Sequence, residues 1–216
     1  MTLRARTAIV TLPAGVLRRR GEETAVTFDP ELPTEKRRSL EFIEMGHVVK
    51  VSLAFETPFW ESIAGGRYRE ASFFYCEERP FPTYWTQVPV RSELLTAWVG
   101  GPKATALGGM PAPDLIELAR DGFAALLHEP DLTRTQFLSG MVHDWSADVF
   151  AGGAYSYVTV GGEKARAGLA APVGATLFFA GEASSTDGQG GTVNRALKTG
   201  ERAAAEVAAE LGIDGV

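Results

Sequence analysis

Several features that would settle a function early are scarce in this sequence. Cys76 is the only cysteine, which excludes an internal disulfide framework and a multi-thiolate metal site. No run of about eighteen apolar residues occurs, so no membrane-spanning helix is expected. The three histidines, His47, His128 and His143, show no metal-ligand spacing, and no metal is expected. No serine has glycine both two positions before and two positions after it, so the nucleophile elbow of hydrolases is absent, as is a Walker lysine after a glycine loop. Basic residues are outnumbered, 21 against 27 acidic ones, for a formal charge of -6. Nucleic acid and anionic membranes, which bind positive potential, are therefore not expected as partners. The opening residues, Met1 to Arg6, have no apolar core leading to a cleavage site, and a cytoplasmic protein is the expectation.

The chain has 216 residues, 45% of them hydrophobic and 22% charged, enough to bury a sizeable core. Half of its 24 glycines come as doublets, including Gly152-Gly153 and Gly190-Gly191, which mark turns or places of close backbone approach. Thr7–Leu12 reads as a strand stopped by Pro13, and a helix capped by Thr34 runs to about Met45. Val48–Phe55 is the clearest strand, with Val48, Lys50, Ser52 and Ala54 on one face and Val49, Val51, Leu53 and Phe55 on the other. Further strands are expected at Ala71–Cys76, Tyr84–Val88, Leu94–Val99, Thr133–Val142 and Tyr155–Val160. Asp114 is expected to cap a helix whose apolar stripe is Ile116, Leu118, Ala119, Phe123, Leu126 and Leu127. The chain ends with a buried strand, Ala175–Ala180, a glycine-rich loop, and a helix from about Thr192 to Leu211. The class is α+β: a mostly antiparallel sheet with helices in the middle, and terminal segments belonging to one layered α/β unit.

Three places can carry chemistry. Gly188-Gln189-Gly190-Gly191-Thr192-Val193 nearly matches a dinucleotide fingerprint, but Val193 stands where the third glycine belongs and the strand lies too far upstream. It reads either as a plain loop before a helix or as a helix N-terminus offering free amides to a negatively polarised oxygen. Lys50 is either a solvent-facing lysine lying along its sheet or a lysine aimed into a cavity. Trp145 with Gly152, Gly153, Tyr155 and Tyr157 is either core and turn or a flat platform for a planar ring.

Taken in order, the segments resemble the flavin-containing amine oxidase family, which includes monoamine, polyamine and L-amino acid oxidases and histone lysine demethylases. The resemblance is carried by Ala8–Leu17, by Phe28-Asp29-Pro30-Glu31-Leu32-Pro33, and by Gly46–Phe55 with Pro58-Phe59-Trp60. It continues in Trp145 with Gly152–Ser156, in Phe178–Glu182, in Gly191-Thr192-Val193 and in Thr199–Ala204. It implies an FAD-dependent oxidase that takes a hydride equivalent from a C–N bond of a small amine or amino acid, oxygen being reduced to peroxide. Carried over, Lys50 holds a water at flavin N5, and Trp145 and Tyr155 line the flavin and the amine. Gly153, Ala154, Gly181, Glu182, Gly190, Gly191, Thr192 and Val193 contact the cofactor, with Glu182 beside the ribityl or ribose and the Thr192–Val193 amides at the pyrimidine carbonyl.

Departures from the family pattern shape the expectation. Ala154 stands where covalently flavinylated members carry cysteine, so FAD is expected to be non-covalent. Thr192 stands where monoamine oxidases place a second cage tyrosine. The N-terminal Gly-x-Gly-x-x-Gly Rossmann unit is missing, so residues 1–16 are expected as an FAD-domain strand, 17–147 as a substrate-binding domain and 148–216 as a C-terminal FAD-binding segment. The expected function is the C-terminal half of such an oxidase, inactive and weak in FAD binding until an N-terminal half is supplied. The rival is a non-catalytic fragment acting only as an association module. Self-association is expected, through strand edges and through apolar faces such as that carrying Val49, Val51, Leu53 and Phe55.

Overall fold

The structure is a computed structural model and describes residues 2–21, 24–188 and 190–213. In chain order the elements are β1 (Ala8–Val10), α1 (Ala14–Leu17), α2 (Thr34–Glu41), β2 (Ile43–Met45) and β3 (Val48–Phe55). Next come β4 (Phe73–Tyr75), β5 (Thr83–Trp85), β6 (Leu94–Gly100), α3 (Gly101–Leu107), α4 (Ala112–Leu127) and α5 (Pro130–Gln136). The chain closes with β7 (Phe137–Asp144), β8 (Ser156–Val158), α6 (Ala165–Ala170), β9 (Leu177–Phe179) and α7 (Val193–Leu211). The fold is α+β, divided into two compact units. One holds residues 1–46 and 146–216 and the other holds residues 47–145.

The first unit is built on short pairings between distant segments. β1 and β9 pair in parallel, Ile9 opposite Phe178, while β2 and β8 pair antiparallel, Glu44 opposite Tyr157. Ala14, Leu32, Leu40, Ile43, Ala165, Leu169, Phe179 and Ala183 form its core. This corrects the boundary expected after residue 16. Residues 17–46 belong with the terminal segments, because Leu32, Leu40 and Ile43 are sealed among residues of α1, α6 and β9 rather than among those of the central sheet.

Buried Lys36 closes the end of α6. Its ammonium donates to the carbonyls of Gly168 (3.2 Å), Leu169 (2.8 Å) and Ala171, and lies 3.6 Å from the Phe179 ring centroid. Arg202 on α7 adds a bond to the Ala170 carbonyl at 3.1 Å. The otherwise orphaned carbonyls of a helix C-terminus are thus satisfied by two cations, which also suits the helix dipole.

The second unit is a five-stranded antiparallel sheet in the order β4-β5-β6-β3-β7. Period-two alternation along β3 sends Val49, Val51, Leu53 and Phe55 into the core, each 2% exposed or less. They pack with Phe123, Leu115 and Ala119 of α4, and Phe55 meets Phe59, Trp60 and Phe123 at ring distances of 5.4, 5.7 and 6.3 Å. The expectation that this face lies open for self-association is therefore overturned, since the unit covers it with its own helix and loops.

Four local expectations also change. Ile43–Met45 is a strand rather than the end of the preceding helix, because it finds a partner in β8. Thr133–Gln136 is helical, starting from Pro130 in the first turn, so β7 begins only at Phe137. Pro111 precedes the first turn of α4, and Asp114 sits within that turn rather than capping it. Thr192 caps α7, its Oγ1 accepting from the Arg195 amide at 3.4 Å, so the last helix starts at Val193.

Candidate functional site

At the C-terminal end of β9 the chain turns through Gly181, whose φ of +119° suits glycine. The Gly181 amide donates to Thr199 Oγ1 at 2.9 Å, which ties α7 back to the strand end. Glu182 follows, and its carboxylate gathers three donors. Oε1 accepts from the Ser156 amide at 3.0 Å; Oε2 accepts from the Ser156 hydroxyl at 2.7 Å and from the Gly191 amide at 2.7 Å. Arg166 braces the same corner, donating to the Glu182 carbonyl and the Ser156 carbonyl at 3.0 Å each. Its guanidinium stands 3.9 Å from Oε2. A Cβ on Gly190 would overlap the Arg166 guanidinium as placed, so a larger residue there would make the arginine shift. Gln189 lies outside the described residues.

Gly153, Ala154 and Tyr155 run beside the end of β2. The Ala154 amide donates to Gly46 O at 2.9 Å, and the Gly46 amide donates to Tyr155 O at 2.7 Å, which prolongs the β2–β8 pairing. Gly153 has φ +135°, and a Cβ there would overlap that of Met45. The Tyr155 ring lies against Gly46, and its Cβ faces Gly191. Within this unit the structure therefore brings Gly153, Ala154, Tyr155, Gly181, Glu182, Gly190, Gly191 and Thr192 around Ser156 and the start of α7. Val193, 76% exposed, opens that helix, and the amides of its first turn have no intrahelical acceptor.

Lys50 and Trp145 lie in the other unit. Lys50 is half-buried on β3, opposite Trp98 of β6 and His143 of β7, and its ammonium stands 5.5 Å from the Trp85 ring centroid. Among the described residues it has no hydrogen-bonded or ionic partner. The Trp145 ring meets that of His143 edge-on at 4.2 Å, and its amide donates to Val48 O at 3.3 Å. Ser156, Arg166 and Thr199 organise the Glu182 corner, yet sequence reasoning did not single them out as site residues. Ser156 and Glu182 are 26 positions apart, and no local pattern joins them. Trp98 was within reach, since alternation along a strand pairing with β3 puts it beside Lys50.

An ionised carboxylate has about four acceptor positions, and Glu182 uses three on its own chain. Its side chain is 23% exposed, so one position remains for a hydroxyl donor from outside. A few residues on, the Val193 and Asn194 amides at the start of α7, which the Thr192 side-chain cap does not take up, suit a polarised carbonyl oxygen. This donor and acceptor set fits the ribityl or ribose hydroxyls and the ring carbonyl of a flavin nucleotide.

The chain matches the profile of the family described as flavin containing amine oxidoreductase over residues 1–208. It is 29% identical over 204 residues to lysine-specific histone demethylase 1 homolog 1 of Arabidopsis thaliana, across 93% of this chain and 23% of that protein. It is 30% identical over 205 residues to polyamine oxidase 4 of Oryza sativa subsp. japonica, across 92% of this chain and 38% of that protein. In fold it is similar to cyclohexylamine oxidase from Brevibacterium oxydans, with a TM-score of 0.78 at 21% identity over 97% of this chain and 44% of that one. The chain spans less than half the length of each of these proteins. With a family match that takes in nearly its whole length, the chain belongs to the flavin-containing amine oxidoreductase family.

Proposed function

We propose that this chain is the C-terminal part of an FAD-dependent amine or amino-acid oxidase. In the reaction a CH–NH group loses two electrons and two protons to become an imine, and oxygen takes both up as hydrogen peroxide. The observation that carries the proposal is the Glu182 corner, where one carboxylate joins Ser156 to Gly191 at the start of α7 in a chain of this family. The flavin, when bound, supplies the hydride acceptor and the route of electrons to oxygen.

The chain's own residues then have separate tasks. Glu182 fixes the loop and offers its remaining lone pair to a cofactor hydroxyl. The Thr192 cap takes up the Arg195 amide and leaves those of Val193 and Asn194 to receive a ring oxygen, and Gly153, Ala154, Gly181, Gly190, Gly191 and Val193 allow close approach. Ala154 presents only a methyl group, so the cofactor is held without a covalent bond. In the other unit, Lys50 holds a water and a positive charge for the oxygen half-reaction, and Trp145 contributes an aromatic wall. Tyr155 adds an aromatic surface to the cofactor corner.

FAD binds this chain weakly by itself, because the glycine-rich turn that holds a dinucleotide's pyrophosphate is not in its sequence. The test is reconstitution with an N-terminal polypeptide carrying a Gly-x-Gly-x-x-Gly unit. The mixture is expected to turn yellow with bound flavin and to release peroxide from amines. A reconstituted complex without flavin and without peroxide would instead favour a non-catalytic association module.

A further inference from the structure

The turn between α4 and α5 holds a histidine where glycine is usual. His128 ends α4 with φ +59°, a left-handed conformation that glycine adopts freely and a residue with a Cβ adopts under strain. Two backbone bonds close the turn. The Glu129 amide donates to Ala124 O at 3.0 Å and the His128 amide to Ala125 O at 3.4 Å. Pro130 then opens α5, and Arg134 lies one turn further along it.

The connection between β4 and β5 brings Arg79 to the same place. Phe81 and Tyr84 anchor that connection in the core, and the Tyr84 hydroxyl donates to Ala119 O of α4 at 2.9 Å. Burial pushes the Tyr84 phenol up, and the Arg79 guanidinium opposes that rise, as expected for a charge lying close to α4. Arg79 is half-buried, and among the described residues its guanidinium has no hydrogen-bonded or ionic partner.

These segments enclose an open pocket of about 510 Å³, wholly within the second unit. Arg79, His128 and Arg134 line it with donors, and Ala124, Ala125 and Pro130 supply apolar surface. Asp121 is the one acidic side chain in the lining among the described residues, and Arg120 Nε donates to its carboxylate at 2.8 Å. Arg134 stands 3.6 Å from Asp131, whose side chain is 99% exposed, so that surface pair holds the guanidinium only weakly.

We infer that this pocket binds a small phosphate monoester, its phosphate held by Arg79, His128 and Arg134 and its organic body resting on Ala124, Ala125 and Pro130. The phosphate of a monoester presents about two negative charges and three acceptor oxygens, which suit donors arriving from three separate segments. A carboxylate has two oxygens, and a single guanidinium can take both. The His128 imidazole offers an N–H whether or not it is protonated. A half-buried guanidinium that has given up part of its water gains an acceptor when the phosphate arrives. Strained backbone retained at a pocket wall suits a side chain kept for binding rather than for the turn. The inference does not depend on the oxidase reading.

The test is a titration of the ¹⁵N-labelled full chain, followed by amide chemical shifts at constant ionic strength. The probes are phenyl phosphate, inorganic phosphate and benzoate. Phenyl phosphate should give saturable shifts at the His128, Glu129 and Asp131 amides, inorganic phosphate should bind more weakly, and benzoate at least tenfold more weakly. Arg79→Gln and Arg134→Gln should each weaken phenyl phosphate about tenfold, and Arg79→Lys should keep part of the affinity. Arg38→Gln, an exposed arginine on α2, should leave it unchanged. His128→Gly should raise Tm while weakening binding, a split that a purely structural histidine would not give. No saturable shift at these amides, benzoate bound as tightly as phenyl phosphate, wild-type affinity in Arg79→Gln or His128→Gly, or an equal loss in Arg38→Gln would overturn the inference. Far-UV circular dichroism of each variant reports whether it is folded, and should one arginine variant unfold, the other decides.

Discussion

Glu182 Oε2 accepts the Gly191 amide at 2.7 Å, nine positions along the chain, and so closes the glycine-rich loop onto the end of β9. Because Oε2 also accepts from the Ser156 hydroxyl, one carboxylate holds three backbone segments in register. Hydrogen bonds to a charged acceptor are shorter and stronger than neutral ones. Replacing Glu182 by glutamine removes the charge and gives the Gly191 and Ser156 donors a weaker acceptor. Glu182→Gln should destabilise the chain by about 1.5–3 kcal/mol. Hydrogen exchange at the Gly191 and Ser156 amides should speed up together. Unchanged exchange at both would show that the carboxylate does not hold the loop.

Lys36 gives a pH dependence with a definite sign. Burial, with the nearby Arg202 guanidinium adding to it, pushes its ammonium down to about 8. An unfolded lysine titrates near ~10.4. Between those values the unfolded chain holds more protons than the native one, so the Lys36 contribution to stability rises with pH, by at most about 1.4 kcal/mol per unit. Below the lower value both states are protonated and the contribution is flat. Urea unfolding of wild type and Lys36→Met should show a stability difference that moves in favour of wild type as pH rises through this window. A difference independent of pH would contradict the burial argument. Near neutral pH, Lys36→Met should still cost about 1–3 kcal/mol, because three carbonyls lose their donor.

Two glycines should respond in opposite directions to alanine. Gly153 has φ +135° with Met45 where its Cβ would go, whereas Gly200 lies inside α7 with open space around it. Gly153→Ala should lower stability by about 2 kcal/mol or more, combining backbone strain with overpacking. Gly200→Ala should raise it by about 0.5–1 kcal/mol through helix propensity. Thermal unfolding of the two variants separates these outcomes, and shifts of the same sign would refute the geometry at one of the two positions.

Lys50→Met, in the reconstituted protein, should slow the reoxidation of the flavin by oxygen more than its reduction by amine. The substitution keeps the length of the side chain and removes the charge that lies over Trp85. Stopped-flow measurement of the two half-reactions checks this. Equal slowing of both, or of neither, would remove Lys50 from the oxygen step.

How far the sequence was legible depends on the range of the contact involved. The alternation of Val48–Phe55 is local, and it assigned Lys50 and the core residues of β3 to opposite faces. Ile43–Met45 continues an apolar helical pattern equally well, and only the pairing with Ser156–Val158, more than a hundred residues away, makes it a strand. Thr133–Gln136 has strand-like threonines, but Pro130 in the first turn sets a short helix before β7. In the candidate site, Glu182 and the glycines around Gly191 stood out as a motif. The roles of Ser156 and Arg166 did not, because they arise only when β8 and α6 are brought to the end of β9.

The central claim is that the Glu182 corner and the start of α7 hold part of a flavin nucleotide. Equilibrium FAD binding by the reconstituted protein, followed by quenching of flavin fluorescence, tests it most directly. Wild type should bind FAD, and Glu182→Gln should bind it about tenfold or more weakly, as expected for one charge-assisted hydrogen bond and a loosened loop. An unchanged FAD affinity in Glu182→Gln would contradict the account.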